Sequence, residues 1–249
     1  MATKIEWCHE TWNPVTGCTA ISEGCKNCYA RRMAQRLKGR CGYPKDDPFR
    51  VTFHPDRLNQ PLKWKKPRMI FVCSMGDLFH SDVKEWQLDR VFDRILYDGI
   101  SHHIWMVLTK RPERMVNYFK SLDNPQSSFE NVWIGVTVES PEYLDRIDTL
   151  LKIQAAVHFV SIEPMLAPVD LNRREFLIDK IRFKYTLGTY LDWVIVGPET
   201  GPGKRECKPE WIRDLYDQCQ SANVPFFDKS KTNWLSREFP INVGQNTQP

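Results

Sequence analysis

The sequence has no apolar run of membrane-spanning length, which excludes a transmembrane helix. Its first ten residues, MATKIEWCHE, show no basic segment followed by an apolar one, so we read no signal peptide and expect a cytoplasmic location. Thiols stay reduced in that compartment, which argues against pairing the eight cysteines into disulfides. Charge of either sign is scarcely in excess. Thirty-five Lys and Arg against 31 Asp and Glu leave +4, compatible with an anionic substrate and far from a basic nucleic-acid arm. There is no internal repeat and no low-complexity tract, which excludes a repeat array. There is also only one Cys-x2-Cys pair, where many zinc sites are built from two.

What is present is a 249-residue chain, 41% hydrophobic, enough for one large α/β domain with an ample core. We expect a single domain over 1–249. Its centre of interest is Thr16–Arg31, TGCTAISEGCKNCYAR, which places Cys18, Cys25 and Cys28 within eleven residues. Gly17 and Gly24 allow the tight backbone that such a wrap needs. Three thiolates are one short of the four ligands that a closed zinc site or a fully ligated iron–sulfur cube takes.

From Met69 onward short apolar runs alternate with amphipathic segments. Met69–Cys73, Ile104–Leu108, Val132–Val138, Val157–Ile162, Trp193–Val196 and Val224–Phe227 read as strands. Between them Asp82 and Glu85 resemble a capping box, Pro112 and Pro141 suit first helical turns, and a helix is expected from about Pro209. After Cys28, YARRMAQRLKGR reads as a helix with Met33, Ala34 and Leu37 as its apolar stripe. Continuous apolar strands are buried on both faces of a parallel sheet. The expected architecture is therefore an α/β, TIM-like (β/α) partial or near-complete barrel of six to eight parallel strands. Residues 165–190 show no clear strand and read as an insertion with its own helix, positioned to act as a lid.

Barrels of this kind place chemistry at the C-terminal ends of their strands. Those ends carry Ser74 and Asp77, then Thr109, Lys110 and Arg111, then Thr137 and Glu139. Ser161 and Glu163, Glu199 and Thr200, and Asp228 and Lys229 follow. Such a mixture suits a zwitterionic ligand with a ribose, although polar residues follow most strands simply because loops are solvated. Trp64 in KWKKPR could stack on a base, or simply anchor a solvated loop. The cysteines admit three readings: a zinc knuckle with Cys8, His9 or Cys41 as fourth ligand, buried apolar thiols, or a [4Fe–4S] cluster with one open iron.

The loop also carries a resemblance. Cys18, Cys25 and Cys28, with Tyr29 after the last, resemble the cluster loop of radical S-adenosylmethionine enzymes, with the usual first gap of three widened to six. More specifically, IEWCHETWNPVTGCTAISEGCKNCYARRMA, FVCSMGDLFH, LTKRPERM, SIEPML, VGPETGPGKR and VPFFDK resemble the phage Gp37/Gp68 family, over about residues 4–229. Pro198 and the stretch FFDKSKTNW depart from the family pattern.

The resemblance implies a [4Fe–4S] cluster on Cys18, Cys25 and Cys28, S-adenosyl-L-methionine on its open iron, an external electron donor, and a 5′-deoxyadenosyl radical that abstracts hydrogen from a substrate. By matching strand ends, Ser74 and Asp77 become candidates for the methionine amine and Lys110 for its carboxylate. Thr137 and Glu139 become candidates for the ribose, and Glu163 is a further cofactor candidate. Cys73 could donate a hydrogen atom. Glu199, Lys204, Arg205 and Asp228 are candidates for the substrate, with Lys204 and Arg205 placed to hold a phosphate. The phage resemblance points to a nucleotide or nucleic-acid base, such as a modified thymidine, with isomerisation, a lyase step or a group transfer as the reaction. The alternative is a zinc-stabilised nucleic-acid-binding domain without catalysis.

Overall fold

A computed structural model describes residues 3, 5–122, 129–172, 174–178, 181–185, 187–230 and 235–240. The elements run β1 (Glu10–Trp12), β2 (Val15–Thr16), α1 (Tyr29–Arg36), β3 (Thr52–Phe53), β4 (Met69–Val72) and α2 (Glu85–Ile95). Then come β5 (Ile104–Thr109), α3 (Pro112–Ser121), β6 (Val132–Thr137), α4 (Asp145–Leu150) and β7 (Val157–Ile162). The last are β8 (Arg174–Ile178), β9 (Ile181–Tyr185), β10 (Trp193–Val196), α5 (Pro209–Ser221) and β11 (Phe226–Asp228).

Seven strands form one parallel sheet in the order β1-β4-β5-β6-β7-β10-β11. Each strand therefore pairs with the next of the series, and the sheet curls into an open half-barrel. This is the expected α/β partial barrel, with seven strands.

Side-chain alternation along the strands divides the core in two. Val72, Val107, Ile134, Val160 and Val194 face the helices and pack with Leu88, Met115, Ile147 and Leu215. Phe71, Met106, Trp133, Phe159, Trp193 and Phe227 face the opposite, inner side. Burial on both faces explains why these strands read as continuous apolar runs rather than alternating ones. The inner side is largely aromatic, and Trp193 meets Trp133 edge-on at 5.8 Å between ring centroids. Gly135 in β6 makes room for this packing, because a Cβ there would lie 2.6 Å from the Phe159 ring.

Three expectations are corrected in detail. In α1 the buried residues are Ala30 and Ala34, while Met33 is 42% exposed. Helix α2 is capped at Lys84, whose N–H donates to Gln87 Oε1 at 2.8 Å, and not at Asp82. The segment 165–190 contains no α-helix among its described residues, only the short 3-10 turn Leu187–Thr189; its centre is the antiparallel hairpin β8–β9. Ile181-Arg182-Phe183-Lys184-Tyr185 alternates apolar and charged residues, the period of a strand. At its margins Met165, Val169, Leu171, Leu187 and Leu191 are buried in the helix-side core, so these parts anchor the insertion. Trp64 packs against that same core, with its ring edge-on to His103, which is the loop-anchoring role. Among the described residues no helix is long and apolar enough to cross a membrane.

Candidate active site

The cysteine loop leaves the sheet after β1 and is pinned at once to its neighbours. Gly17 N–H donates to Met75 O at 2.9 Å and Cys18 N–H to Phe49 O at 3.1 Å. The approach is so close that a Cβ on Gly17, whose φ is +85°, would meet Arg50 O at 2.3 Å. Cys18, Cys25 and Cys28 are all free, half-buried thiols. Cys28 immediately precedes α1, and it packs with Cys18 against Ala30, Ala34, Tyr43 and Phe49.

The end of β5 meets this loop with two cations. Arg111 Nη1 donates to Cys18 Sγ at 3.3 Å and to Asp77 Oδ2 at 2.9 Å, and its Nη2 donates to Thr19 O at 3.0 Å. Lys110 Nζ reaches Cys25 Sγ at 3.8 Å and Ser22 Oγ at 3.2 Å, and it forms an ion pair with Glu139. Ser22 Oγ lies 3.5 Å from Cys25 Sγ and donates to Glu139. Arg146 Nη1 completes the group at 2.8 Å from Glu139 Oε2.

Glu139 is fully buried. Burial works to raise its pKa, but Lys110, Ser22 and Arg146 prevail and hold the carboxyl below its ordinary value. The thiols are treated unequally. Burial, with Asp77 adding to it, pushes Cys18 up to about 11 against the pull of Arg111. At Cys25 burial is outweighed by Lys110, with the Ser22 hydroxyl contact and nearby backbone adding to it, and the thiol sits below its ordinary value. Cys25 is thus the better prepared to be a thiolate, the form that binds metal.

The loop after β10 closes on the cysteine loop from the far side of the sheet. Asn27 Nδ2 donates to Glu199 Oε2 and to Gly203 O, both at 2.9 Å. Arg205 is bound to Glu199 through its backbone N–H at 2.8 Å and its Nε at 3.0 Å, and it also donates to Glu23 O at 2.9 Å. Arg32 bridges Asn27 O and Thr200 O at 2.8 and 2.9 Å. Arg205 holds Glu199 down to about 2, with burial working against it.

The structure thus brings Asp77, Lys110 and Glu139 together around the cysteine loop. Thr109 Oγ1 donates to Asp77 Oδ1 at 2.8 Å, so that carboxylate organises the β5 end as well as Arg111. Ser74 is nearby, with its Oγ 3.2 Å from Asn13 Oδ1 and its carbonyl accepting from Tyr29. Thr137 is buried, and its carbonyl accepts from Arg146 at 2.7 Å. Glu163 is paired with Lys229. Asp228 is buried and accepts from Ser230 N–H at 2.6 Å. Lys204 is exposed, whereas Arg205 is engaged by carboxylates and not held open for a phosphate. Cys73 packs in the helix-side core, where burial pushes it up to about 12. Sequence reasoning did not single out Ser22, Asn27, Arg32 or Arg146. Each is a common polar residue whose partner is met only in the fold.

Among the described residues, no three His, Cys, Asp or Glu side chains are gathered so as to hold a metal ion. A tetrahedral zinc needs thiolates roughly 4 Å apart around one point, as its bond lengths require. Of the proposed fourth ligands, Cys8 is buried on the inner side and Cys41 is exposed. Three free thiols on one loop, two of them met by cations, are the donor set that a three-cysteine [4Fe–4S] cluster would use.

Residues 2–247 match the family described as a protein of unknown function (DUF5131). The chain belongs to this family. Solved structures of similar shape include spore photoproduct lyase complexed with dinucleoside spore photoproduct, with TM-score 0.54, 9% identity, and coverage of 92% of this chain and 78% of that one. A cysteine-to-serine mutant of the lyase gives TM-score 0.52 at 12% identity with the same two coverages, 92% and 78%. A double mutant of the lyase, with bound AdoMet and the dinucleoside, gives 0.49 at 11% identity; it covers 89% of this family member, which spans only 53% of that chain. At such identities the likeness is one of fold. No curated protein matches the sequence significantly.

Proposed function

We propose that this DUF5131 protein is a radical S-adenosylmethionine enzyme that acts on a nucleotide or nucleic-acid base. One observation carries the reading. The cysteine loop lies at the C-terminal mouth of a parallel half-barrel, and Arg111 and Lys110 from the β5 end address two of its three thiols. A [4Fe–4S] cluster on Cys18, Cys25 and Cys28 would supply the electron that cleaves S-adenosylmethionine. The chain's own part is to place the thiols and line the space beside them. Asp77 aims Arg111, and Glu139 with Ser22 aims Lys110. Ser74, Thr137 and Glu163 complete the proposed cofactor wall. Glu163 and Lys229, partly exposed as a pair, offer a carboxylate and an ammonium to a bound zwitterion.

The base-bearing substrate is supported by the phage Gp37/Gp68 resemblance and by the dinucleoside complex of a fold neighbour. Fold alone does not transfer a substrate, so the experiment must supply it. Anaerobic reconstitution should load about four irons and four sulfides per chain, as thiolate-held cubes do. Replacing Cys18, Cys25 or Cys28 by Ala should abolish uptake, and replacing Cys41 should not. The reduced protein should then release 5′-deoxyadenosine, and mass spectrometry of nucleoside and dinucleotide mixtures should show one altered species. Stoichiometric zinc with no iron uptake would overturn the reading in favour of a zinc-stabilised binding domain.

A further inference from the structure

A guanidinium on a long stem keeps one direction only when both of its edges are held. Asp77 holds one edge of Arg111, its Oδ2 accepting from Nη1 at 2.9 Å. Thr19 holds the other, its carbonyl and Oγ1 accepting from Nη2 at 3.0 and 3.1 Å. So fixed, Nη1 is left aimed at Cys18 Sγ, 3.3 Å away. Asp77 is buried and stays where the fold puts it. Thr19 is exposed, so its hydroxyl needs a tether of its own.

The tether is His80. Its Nε2 lies 2.7 Å from Thr19 Oγ1, and the residue is 2% exposed. The other ring nitrogen fixes the tautomer. Asp82 N–H donates to Nδ1 at 3.1 Å, so Nδ1 is an acceptor and the proton of the neutral ring sits on Nε2. Burial, with Arg111 adding to it, pushes the His80 pKa below its ordinary value, which keeps the ring neutral at neutral pH. Nε2 therefore donates to Thr19 Oγ1, whose two lone pairs are taken by His80 and Arg111. The histidine is itself rigidly mounted. Its N–H donates to Asp77 O at 3.1 Å, and its carbonyl accepts from Val83 N–H at 3.0 Å. Phe79 N–H donates to Asp77 Oδ1 at 3.0 Å. A single turn, residues 77–83, thus supports both edges of Arg111, one directly and the other through Thr19.

We propose that His80 is a positioning residue for the cysteine loop: through Thr19 it holds Arg111 on Cys18 Sγ and so sets the charge felt at that one sulfur. The consequence for a cluster rests on the radical reading above; the hold on Arg111 does not. Hydrogen bonds to ligating sulfurs help to set a cluster's potential, so a cluster on this loop would be harder to reduce without His80.

The test uses metal-free and reconstituted protein. In metal-free protein carrying isotope-labelled histidine, nuclear magnetic resonance should show His80 as a neutral ring protonated at Nε2. Protonation at Nδ1 would overturn the proposal. In the same state, alkylation of Cys18 by iodoacetamide, followed by peptide mass spectrometry, should slow at least about threefold in His80→Ala and in Thr19→Val, because the thiolate is the nucleophile. Thr19→Ser keeps the hydroxyl and should keep the native rate. Cys25, which takes its cation from Lys110, should react as before. The double variant His80→Ala, Arg111→Met should react no more slowly than Arg111→Met alone, since a residue that acts through Arg111 then has nothing to act on. In reconstituted protein the midpoint potential should fall in His80→Ala and Thr19→Val but not in Thr19→Ser. An additive double variant, an unchanged or faster Cys18, or equal loss in the serine and valine variants would each sink the proposal. Should His80→Ala not fold, the exposed Thr19 pair carries the same test. Failure of the native protein to take up iron would defeat the radical reading alone, since the alkylation measurements need no cluster.

Discussion

Removing the Glu139 carboxylate would take the charged acceptor away from three donors inside the protein, Ser22 Oγ, Lys110 Nζ and Arg146 Nη1, leaving the two cations only neutral oxygens and a thiol. Breaking a buried ion pair from one side costs about 3 kcal/mol, because the surviving charge stays buried. Glu139→Ala should lower stability by about that much in urea titrations. It should also reduce iron uptake, since Lys110 and Ser22 are then free to leave Cys25. Arg111 acts on a second thiol through a different anchor. Arg111→Met should spare the fold around Glu139 and weaken iron retention under chelator challenge, because Cys18 loses a cation that offsets its burial. Equal retention by native and variant protein would show that the Arg111 contact is incidental. At this scale the gathering of Asp77, Lys110 and Glu139 was legible from their places at strand ends, and the three cysteines from their spacing on one loop. Ser22 was not, since a serine between two cysteines gives no sign that its hydroxyl will meet a carboxylate 117 residues away.

The cysteine loop owes its shape to glycines packed where no side chain fits. A Cβ on Gly24 would lie 2.4 Å from Glu139 Oε1, the oxygen that receives Ser22 and Lys110. Gly24→Ala should therefore act as a distant lesion of Glu139. It should lower the melting temperature and iron uptake together, although alanine is ordinarily harmless in a turn. The strands and most helices were legible because their periods are clean and their lengths ordinary. Helix α1 was legible as a helix, and Ala34 and Leu37 of its expected stripe do face Tyr43 and Phe49; Met33 alone was misplaced. Met33 is as apolar as Leu37, and only the small residues Ala30 and Ala34 let the backbone approach Phe49 closely enough to decide which face turns in. Hairpin β8–β9 was missed because its charged residues resemble those of a solvated helix until their period of two is counted.

Across the whole molecule, the open half-barrel is held shut by side chains rather than by strand pairing. Asn27, Arg32 and Arg205 tie the loop after β1 to the loop after β10, over a sequence separation of 172 residues for Asn27 and Glu199. No local pattern announces such a tie, which is why Arg205 read as a phosphate ligand instead. Its acid response follows from Glu199, whose pKa lies at about 2 in the fold against an ordinary 4.5. The tie contributes its full stability above about pH 4.5 and loses it as the pH falls from there through about 2. Native protein and Glu199→Gln should accordingly differ in melting temperature at neutral pH and converge in acid. A gap that persists unchanged to pH 2 would show that Glu199 acts by packing alone.

The sequential winding of the sheet also sets an order in time. During synthesis the N-terminal strands emerge first, and each new strand can be laid against the one before it. The cysteine loop leaves the ribosome well before its latch at Glu199 and Arg205. Until the latch forms the three thiols stand on a loop open on one side, reachable by whatever would deliver iron and sulfide on the proposed reading. The arrival of β10 and the turn that follows it ends that period, so on the proposed reading assembly has a loading window that closes when the latch forms.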